Sequence, residues 1–297
     1  MKRGKYIIVA DAGSTKTDWL INDISASGNE RGTLLTTSGI NGVTSSENYI
    51  NVVLDDLMAK AKEQLPEFQP NNVEALYFYG AGCATPEICD YIAELIKGKL
   101  GADVTVEVAS DMLGAARAIF GKKDGIACIL GTGSNSCLYK KGEIIANVPS
   151  LGFILGDEGS GSALGKRLLR DIYRDVTPRD ITRAFHVKYK LDYKEVLERI
   201  YRQPSPNAFL ASFVPFLEQH SGNSYIRNLI KEEFRCFIRN TVNLYPDSRN
   251  YNLGFAGSVA FLFGEILAEV ALDDFYGISR IMRKPIDGML RYHIENQ

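Results

Sequence analysis

The chain has 297 residues, 45% hydrophobic and 24% charged, with a formal net charge of −2. That balance is ordinary for a globular protein of one large or two average domains; it excludes a disordered or low-complexity chain and provides no basic surface for nucleic acid or an anionic membrane. No apolar run approaches the ~20 residues that span a bilayer, and the apolar start is cut short by Asp11 before it reaches the length of a secretory leader, so a cytoplasmic protein opening on a strand is expected.

Residues 5–11 (KYIIVAD) read as a buried strand from their β-branched apolar run. A turn at 13–15 leads to a second, antiparallel strand at 17–22 (TDWLIN), and 31–37 offers a third. A helix over 46–65 has Ser46 as N-cap and places Ile50, Val53, Leu54, Leu57 and Ala61 on one face. A strand at 73–79 ends in Gly80-Ala81-Gly82, and a helix at 86–100 follows, with Thr85 as candidate cap and Pro86 in its first turn. A strand at 104–108 and a short helix at 112–120 complete the first half.

The pattern then restarts. A strand at 125–130 reaches the turn Gly131-Thr132-Gly133, and strands at 136–139 and 144–148 form a hairpin around Lys141-Gly142. A Gly-rich loop at 153–161 feeds a helix to about 176, and 178–245 is helical, punctuated by Pro204 and Pro206. A strand at 252–255 ends in Gly257, Ser258 caps a helix reaching 272, a strand follows at 278–282, and a last helix follows Pro285. Each half therefore opens on a hairpin carrying a Gly/Thr/Ser loop.

Such loops expose consecutive backbone N–H groups, and glycine lets a ligand approach closely; together they make an anion nest. Ser14, Thr15, Thr17, Thr132 and Ser134 add hydroxyl donors and Lys16 adds a positive charge. Two loops facing each other across a cleft would hold a polyphosphate from both sides. Asp11, ending the first strand, would be tolerated there beside a hydrated Mg²⁺. Read singly, each loop is equally an ordinary hairpin turn. The P-loop and Rossmann patterns are absent: 161–167 (GSALGKR) has the wrong spacing and Arg where Ser or Thr is needed.

Ser110-Asp111 closes an apolar strand and opens a helix, so Asp111 is an N-cap, a general base for phosphoryl transfer, or both. Gly156-Asp157-Glu158-Gly159-Ser160-Gly161 sets two carboxylates among small residues, which suits sugar hydroxyls or makes a solvated acidic turn. Asn41, in the polar loop 38–42, could accept from and donate to a sugar. Gly257-Ser258, between strand and helix, could admit an adenosine, although close packing alone explains the small residues.

In this order the motifs resemble the sugar kinase/Hsp70/actin superfamily: 11–17 its first phosphate motif, 131–134 its second, 255–258 its adenosine motif. GTGSN at 131–135 with GDEGSG at 156–161 is similar to the N-acetylglucosamine kinase branch, grouped with the BadF/BadG/BcrA/BcrD ATPases. The resemblance covers nearly the whole chain. It implies an α/β protein of two ribonuclease H-like domains of duplicated topology (an actin-like ATPase fold) with a cleft between them, binding ATP and Mg²⁺ and phosphorylating an amino sugar, N-acetylglucosamine to its 6-phosphate. The first domain would span 1–120 and be joined by the C-terminal helix 283–297; the second would span 121–282 with a helical insert at about 178–246. Closure of the two would expel water.

Residue by residue, the resemblance implies Asp111 as general base and Asp11 as the Mg²⁺ residue, acting through water. It implies Gly13, Ser14, Thr15 and Lys16, with Gly131, Thr132, Gly133 and Ser134, on the phosphates, and Gly257 and Ser258 at the adenosine. Asn41, Gly82, Asn135, Gly152, Asp157 and Glu158 would bind the sugar. Leu151 stands where several relatives carry Trp, which removes an aromatic platform and leaves glucosamine or N-acetylmuramic acid as other substrates. A homodimer is common among such relatives.

Two other functions fit the same fold. A reductase-activating ATPase would hold an iron–sulfur cluster on cysteines; five scattered cysteines, at 83, 89, 128, 137 and 236, form no CxxC pair, and 128 and 137 fall in core strands. A non-catalytic sugar sensor would usually add a DNA-binding domain, and no basic helix-turn-helix precedes the first strand. The three histidines, at 186, 220 and 293, show no zinc spacing.

Overall fold

The computed structural model describes residues 5–25 and 32–296. The chain divides into two compact units, one running to Gly121 and resuming at Pro285, the other spanning Lys122–Lys284. Arg31, at the start of the expected third strand, lies outside the described residues.

The first unit contains β1 (Tyr6–Ala12), β2 (Lys16–Asp23), β3 (Thr33–Ser38), α1 (Glu47–Gln64), β4 (Val73–Gly80), α2 (Pro86–Leu100), β5 (Thr105–Ser110), α3 (Asp111–Phe120) and the C-terminal helix Ile286–Glu295. The sheet order is β3-β2-β1-β4-β5, antiparallel from β3 to β1 and parallel from β1 to β5. One face packs Ile8, Trp19 and Phe78 against Ile50, Leu54 and Leu57 of α1 and Ile92 and Ile96 of α2. The helical face read from the sequence is thus the buried one. Ser46 caps α1, its side chain accepting the Tyr49 N–H at 3.4 Å. Thr85 makes no side-chain cap bond; Pro86, which needs no N–H partner, opens α2 instead.

The opposite face carries α3 and the C-terminal helix, joined by a buried polar cluster. Arg117 Nη1 donates to Tyr79 Oη at 2.8 Å and pairs with Glu107. Tyr79 in turn lies 2.7 Å from His293 Nε2, and the His293 ring stacks on Tyr77. Burial, reinforced by the Arg117 charge, lowers the His293 pKa to about 3. The unfolded chain, with an imidazole near 6.5, therefore binds the extra proton between those values. This part of the stability is complete above pH ~6.5 and is lost as pH falls toward 3. Replacing His293 by Gln, a neutral acceptor, should flatten stability against pH in that window, as read by urea unfolding; an unchanged slope would contradict the assignment.

The second unit contains β6 (Gly125–Leu130), β7 (Ser134–Lys140), β8 (Glu143–Ala146), α4 (Gly152–Leu155), α5 (Gly161–Tyr173), α6 (Arg179–Tyr189), α7 (Tyr193–Tyr201), α8 (Pro206–Ala211), α9 (Val214–Gln219), α10 (Ser224–Asn240), β9 (Leu253–Ala256), α11 (Ser258–Leu262), α12 (Gly264–Asp273) and β10 (Ile278–Met282). Its sheet order, β10-β9-β6-β7-β8, repeats the first: antiparallel from β8 to β6, parallel from β6 through β9 to β10. The β7–β8 turn is Lys141-Gly142, at φ 52° and 90°, the paired positive φ that a two-residue hairpin favours. Phe185, Phe213, Phe216, Phe234, Phe237 and Phe255 dominate the core.

Three local expectations are corrected. Gly257, not Ser258, occupies the cap position of α11, and no side chain caps it. The helix also does not run unbroken to 272: it ends at Leu262, and α12 restarts after Phe263. The Gly-rich loop expected at 153–161 holds one helical turn, α4. No helix among the described residues is long and apolar enough to cross a membrane.

Candidate functional site

In the first unit, parallel β1, β4 and β5 end at Ala12, Gly80 and Ser110. The carboxyl ends of parallel strands are where open α/β sheets bind ligands, and the expected residues of this unit gather there. Asp11 is the penultimate residue of β1, directly across from Asp18 on β2. The turn 13–16 is closed by Gly13 N–H to Lys16 carbonyl at 2.9 Å. The loop at 39–42 lies against it: Gly39 N–H donates to the Thr15 carbonyl at 3.1 Å, and a Cβ on Gly39 would sit 2.4 Å from the Gly13 oxygen. Asn41 Nδ2 donates to Ser14 Oγ at 3.0 Å, while Asn41 Oδ1 accepts from Val43 and Thr44 N–H. The Gly80–Gly82 turn joins both, since Ala81 N–H donates to Ala12 carbonyl and Gly42 N–H to Ala81 carbonyl, at 2.8 and 2.9 Å. Gly82 needs its φ of +79°: a side chain there would meet Asn41 Oδ1 at 2.7 Å.

Asp111 lies beside this turn, because Ser110 pairs with Gly80 in the β4–β5 register. The cap of α3 is Ser110, whose Oγ accepts from Leu113 N–H at 3.2 Å. Asp111 is the first helical residue, accepting its neighbour's N–H (Met112) at 2.8 Å. The N-cap reading of Asp111 therefore moves to Ser110, which leaves the carboxylate to other work. Burial raises the Asp111 pKa above its ordinary value, against the lowering effect of the Met112 N–H and its own.

Two residues behave differently from expectation. Thr17 is fully buried and its hydroxyl has no partner, so it does not join the loop's donors. Lys16 Nζ lies 3.1 Å from Asp18 Oδ2, and the Asp18 side chain, 4% exposed, also accepts from Thr36 Oγ1 at 2.8 Å. Asp18 was missed in the sequence; the period-two alternation of a strand, which puts residues 16 and 18 on one face, was the signal.

In the second unit the turn 131–134 is closed by Gly131 N–H to Gly133 carbonyl at 3.0 Å. Asp157, 7% exposed, contacts it: Oδ1 accepts the Ser134 N–H at 3.1 Å. Burial raises the Asp157 pKa; the Ser134 N–H opposes that and Glu158 adds to it. Gly257, at φ +116°, packs on the same loop, where a Cβ would lie 2.3 Å from the Leu130 oxygen. Ser258 follows, exposed. The remaining expected sugar residues are engaged elsewhere in this unit. Asn135 Oδ1 accepts from Asn147 Nδ2 at 3.0 Å, Glu158 accepts from Asn240 Nδ2 at 3.0 Å, and Gly152 opens α4 at φ +69° beside exposed Leu151. Burial raises the thiol pKa of Cys83 and Cys137 to about 12 and that of Cys128 upward, disfavouring the thiolate in each.

Among the described residues no group of three His, Cys, Asp or Glu is placed to hold a metal. A magnesium nucleotide needs less, since Mg²⁺ keeps waters and takes one or two carboxylates with the phosphate oxygens. Asp11, beside the first loop, fits that donor set.

No family model and no curated protein matches the chain. Among solved structures, a candidate N-acetylglucosamine kinase from Porphyromonas gingivalis is 39% identical at a TM-score of 0.88, covering 98% of this chain and 99% of its own. A candidate N-acetylglucosamine kinase from Chromobacterium violaceum shares 17% identity at a TM-score of 0.75, over 97% and 99% of the two chains. A ROK-family glucokinase from Streptomyces griseus, solved with glucose and AMPPNP, shares 14% at 0.53, over 96% and 97%. The last two are likenesses of fold.

Proposed function

This chain belongs to the N-acetylglucosamine kinase-like branch of the sugar kinase/Hsp70/actin superfamily, and we propose that it transfers the γ-phosphoryl group of ATP to an amino sugar, N-acetylglucosamine to its 6-phosphate. The observation that carries this reading is the gathering of the first phosphate loop, Asn41, Gly82 and Asp111 at the carboxyl ends of β1, β4 and β5.

Phosphoryl transfer asks a protein mainly for positioning and charge stabilisation. Asp111 accepts the proton of the sugar hydroxyl as its oxygen bonds to the γ-phosphorus and the bond to the β-phosphate oxygen breaks, releasing ADP. The raised pKa makes it a stronger base than an ordinary surface carboxylate. Gly13 and Gly131 spend their N–H groups closing their turns, so the phosphate donors are the N–H groups that follow, of Ser14, Thr15, Thr132 and Gly133, with the Lys16 ammonium. Asp157 accepts from a sugar hydroxyl, and Asn41 donates to one through Nδ2 by exchanging its bond to Ser14. Gly257 and Ser258 border the adenosine. Mg²⁺, held through water at Asp11, would neutralise phosphate charge when bound.

The test is ADP release from Mg-ATP across a panel of amino sugars and hexoses. Saturable turnover with N-acetylglucosamine is expected. Slow ATP hydrolysis with no acceptor sugar accelerating it would overturn the reading.

A further inference from the structure

The GDEGSG segment, expected from sequence to face the sugar, holds the second phosphate loop from two directions. The first two N–H groups of α5, of Gly161 and Ser162, donate to the carbonyls of Gly131 and Thr132 at 2.8 and 3.0 Å. In the opposite sense the Ser134 N–H donates to Asp157 Oδ1 at 3.1 Å. A Cβ on Gly133 would stand 3.0 Å from Asp157 Oδ2, so the carboxylate touches the loop at two consecutive residues.

Asp157 is also fixed by its own backbone. It sits at φ +58°, a left-handed conformation that costs a residue with a side chain ~1 kcal/mol or more and persists where the surroundings demand it. Its N–H donates to the Ser150 carbonyl at 3.1 Å, and its carbonyl accepts from Ser160 N–H at 3.2 Å.

Building on the sugar-kinase reading above, we propose that Asp157 is a positioning residue that couples the two substrates: one side of its carboxylate orients the second phosphate loop through Ser134 N–H, and its other lone pairs accept from a sugar hydroxyl. A carboxylate offers about four acceptor positions, so the two contacts are compatible. A hydroxyl donating to the free lone pairs of the carboxylate holds its plane against the loop, where the Ser134 N–H donates to Oδ1 at 3.1 Å in a hydrogen bond that a charged acceptor makes about twice as strong as a neutral one. Sugar therefore stiffens the phosphate loop, and by linkage the nucleotide raises sugar affinity by the same factor.

The test measures binding of AMPPNP with and without saturating N-acetylglucosamine, together with amide exchange at Ser134, for the wild type, Asp157→Asn and Asp157→Ala. In the wild type the sugar should tighten AMPPNP by about tenfold and slow Ser134 exchange. Asp157→Asn should lose the enhancement and show faster Ser134 exchange before any ligand is added. An enhancement retained in Asp157→Asn, or Ser134 exchange indifferent to sugar in the wild type, overturns the coupling; the second outcome can be read even if both variants misfold. A wild type that binds no amino sugar overturns the kinase reading instead. In that case Ser134 exchange in Asp157→Asn without ligand still tests the anchor: exchange at the wild-type rate removes it.

Discussion

Asp111→Asn should lower kcat by about 10²–10⁴-fold, the usual contribution of a general base, while leaving AMPPNP affinity unchanged. The amide preserves the size of the side chain and an oxygen for the Met112 N–H, so α3 keeps its first turn, capped in any case by Ser110. What it loses is the ability to take a proton. The pH profile separates this from a structural role. As the proposed base, Asp111 takes a proton only when ionised, and burial raises its pKa, so kcat/KM of the wild type should fall on the acid side with an apparent pKa above that of an ordinary carboxylate. The same shift has a consequence for stability. A folded-state pKa above the unfolded value means the folded protein holds the Asp111 proton more tightly than the unfolded chain does. Above the raised pKa the buried charge costs stability, and removing it should leave Asp111→Asn at least as stable as the wild type near neutral pH. An inactive variant with an undiminished melting temperature is the expected pair of results. Normal turnover in Asp111→Asn would remove the assignment, and loss of activity together with unfolding would mark Asp111 as structural.

The features legible in the sequence were those set by local chemistry. The β-branched run at Tyr6–Ala12 and the apolar stripe of α1 report burial at the periods of strand and helix, and glycine runs mark where strands stop. Because each half repeats strand, small-residue turn and antiparallel strand, the duplicated topology was legible too. What escaped depended on partners distant in the chain or on details of helix ends. Nothing near Asp157 says that its carboxylate meets the amide of Ser134, 23 positions earlier. The Tyr79–Arg117–His293 cluster spans 214 positions between its ends. At Ser110-Asp111 both residues are good caps, and only the backbone decides which lies at the last extended position. Likewise Ser258 looks like a cap, but the turn from β9 demands φ +116° one residue earlier, and glycine takes it.

That glycine makes the second large prediction. Gly257 sits at φ +116° and ψ 161°, a region open essentially only to glycine, where another residue costs ~1–3 kcal/mol. Space is refused as well as conformation: a Cβ would lie 2.3 Å from the Leu130 oxygen and 2.7 Å from its carbonyl carbon, contacts with backbone that cannot rotate away. Leu130 is the last residue of β6, and the 131–134 turn begins at the next residue. Gly257 N–H also donates to the Met282 carbonyl at 3.0 Å, holding the ends of β9 and β10 in register. Gly257→Ala must therefore move β9 away from β6 or displace the start of the 131–134 turn. The strain and the clash together should cost about 3 kcal/mol or more, measured as a fall in the urea midpoint. Under the proposed function the displaced backbone leads straight into the phosphate-binding turn, so KM for ATP should rise while KM for the sugar changes less. Ser258→Ala is the control, since its exposed side chain caps nothing and its loss should leave stability within ~0.5 kcal/mol. A Gly257→Ala protein of wild-type stability would mean that the turn relaxes without cost, and the close approach of Gly257 to Leu130 would then have no part in shaping the proposed nucleotide site.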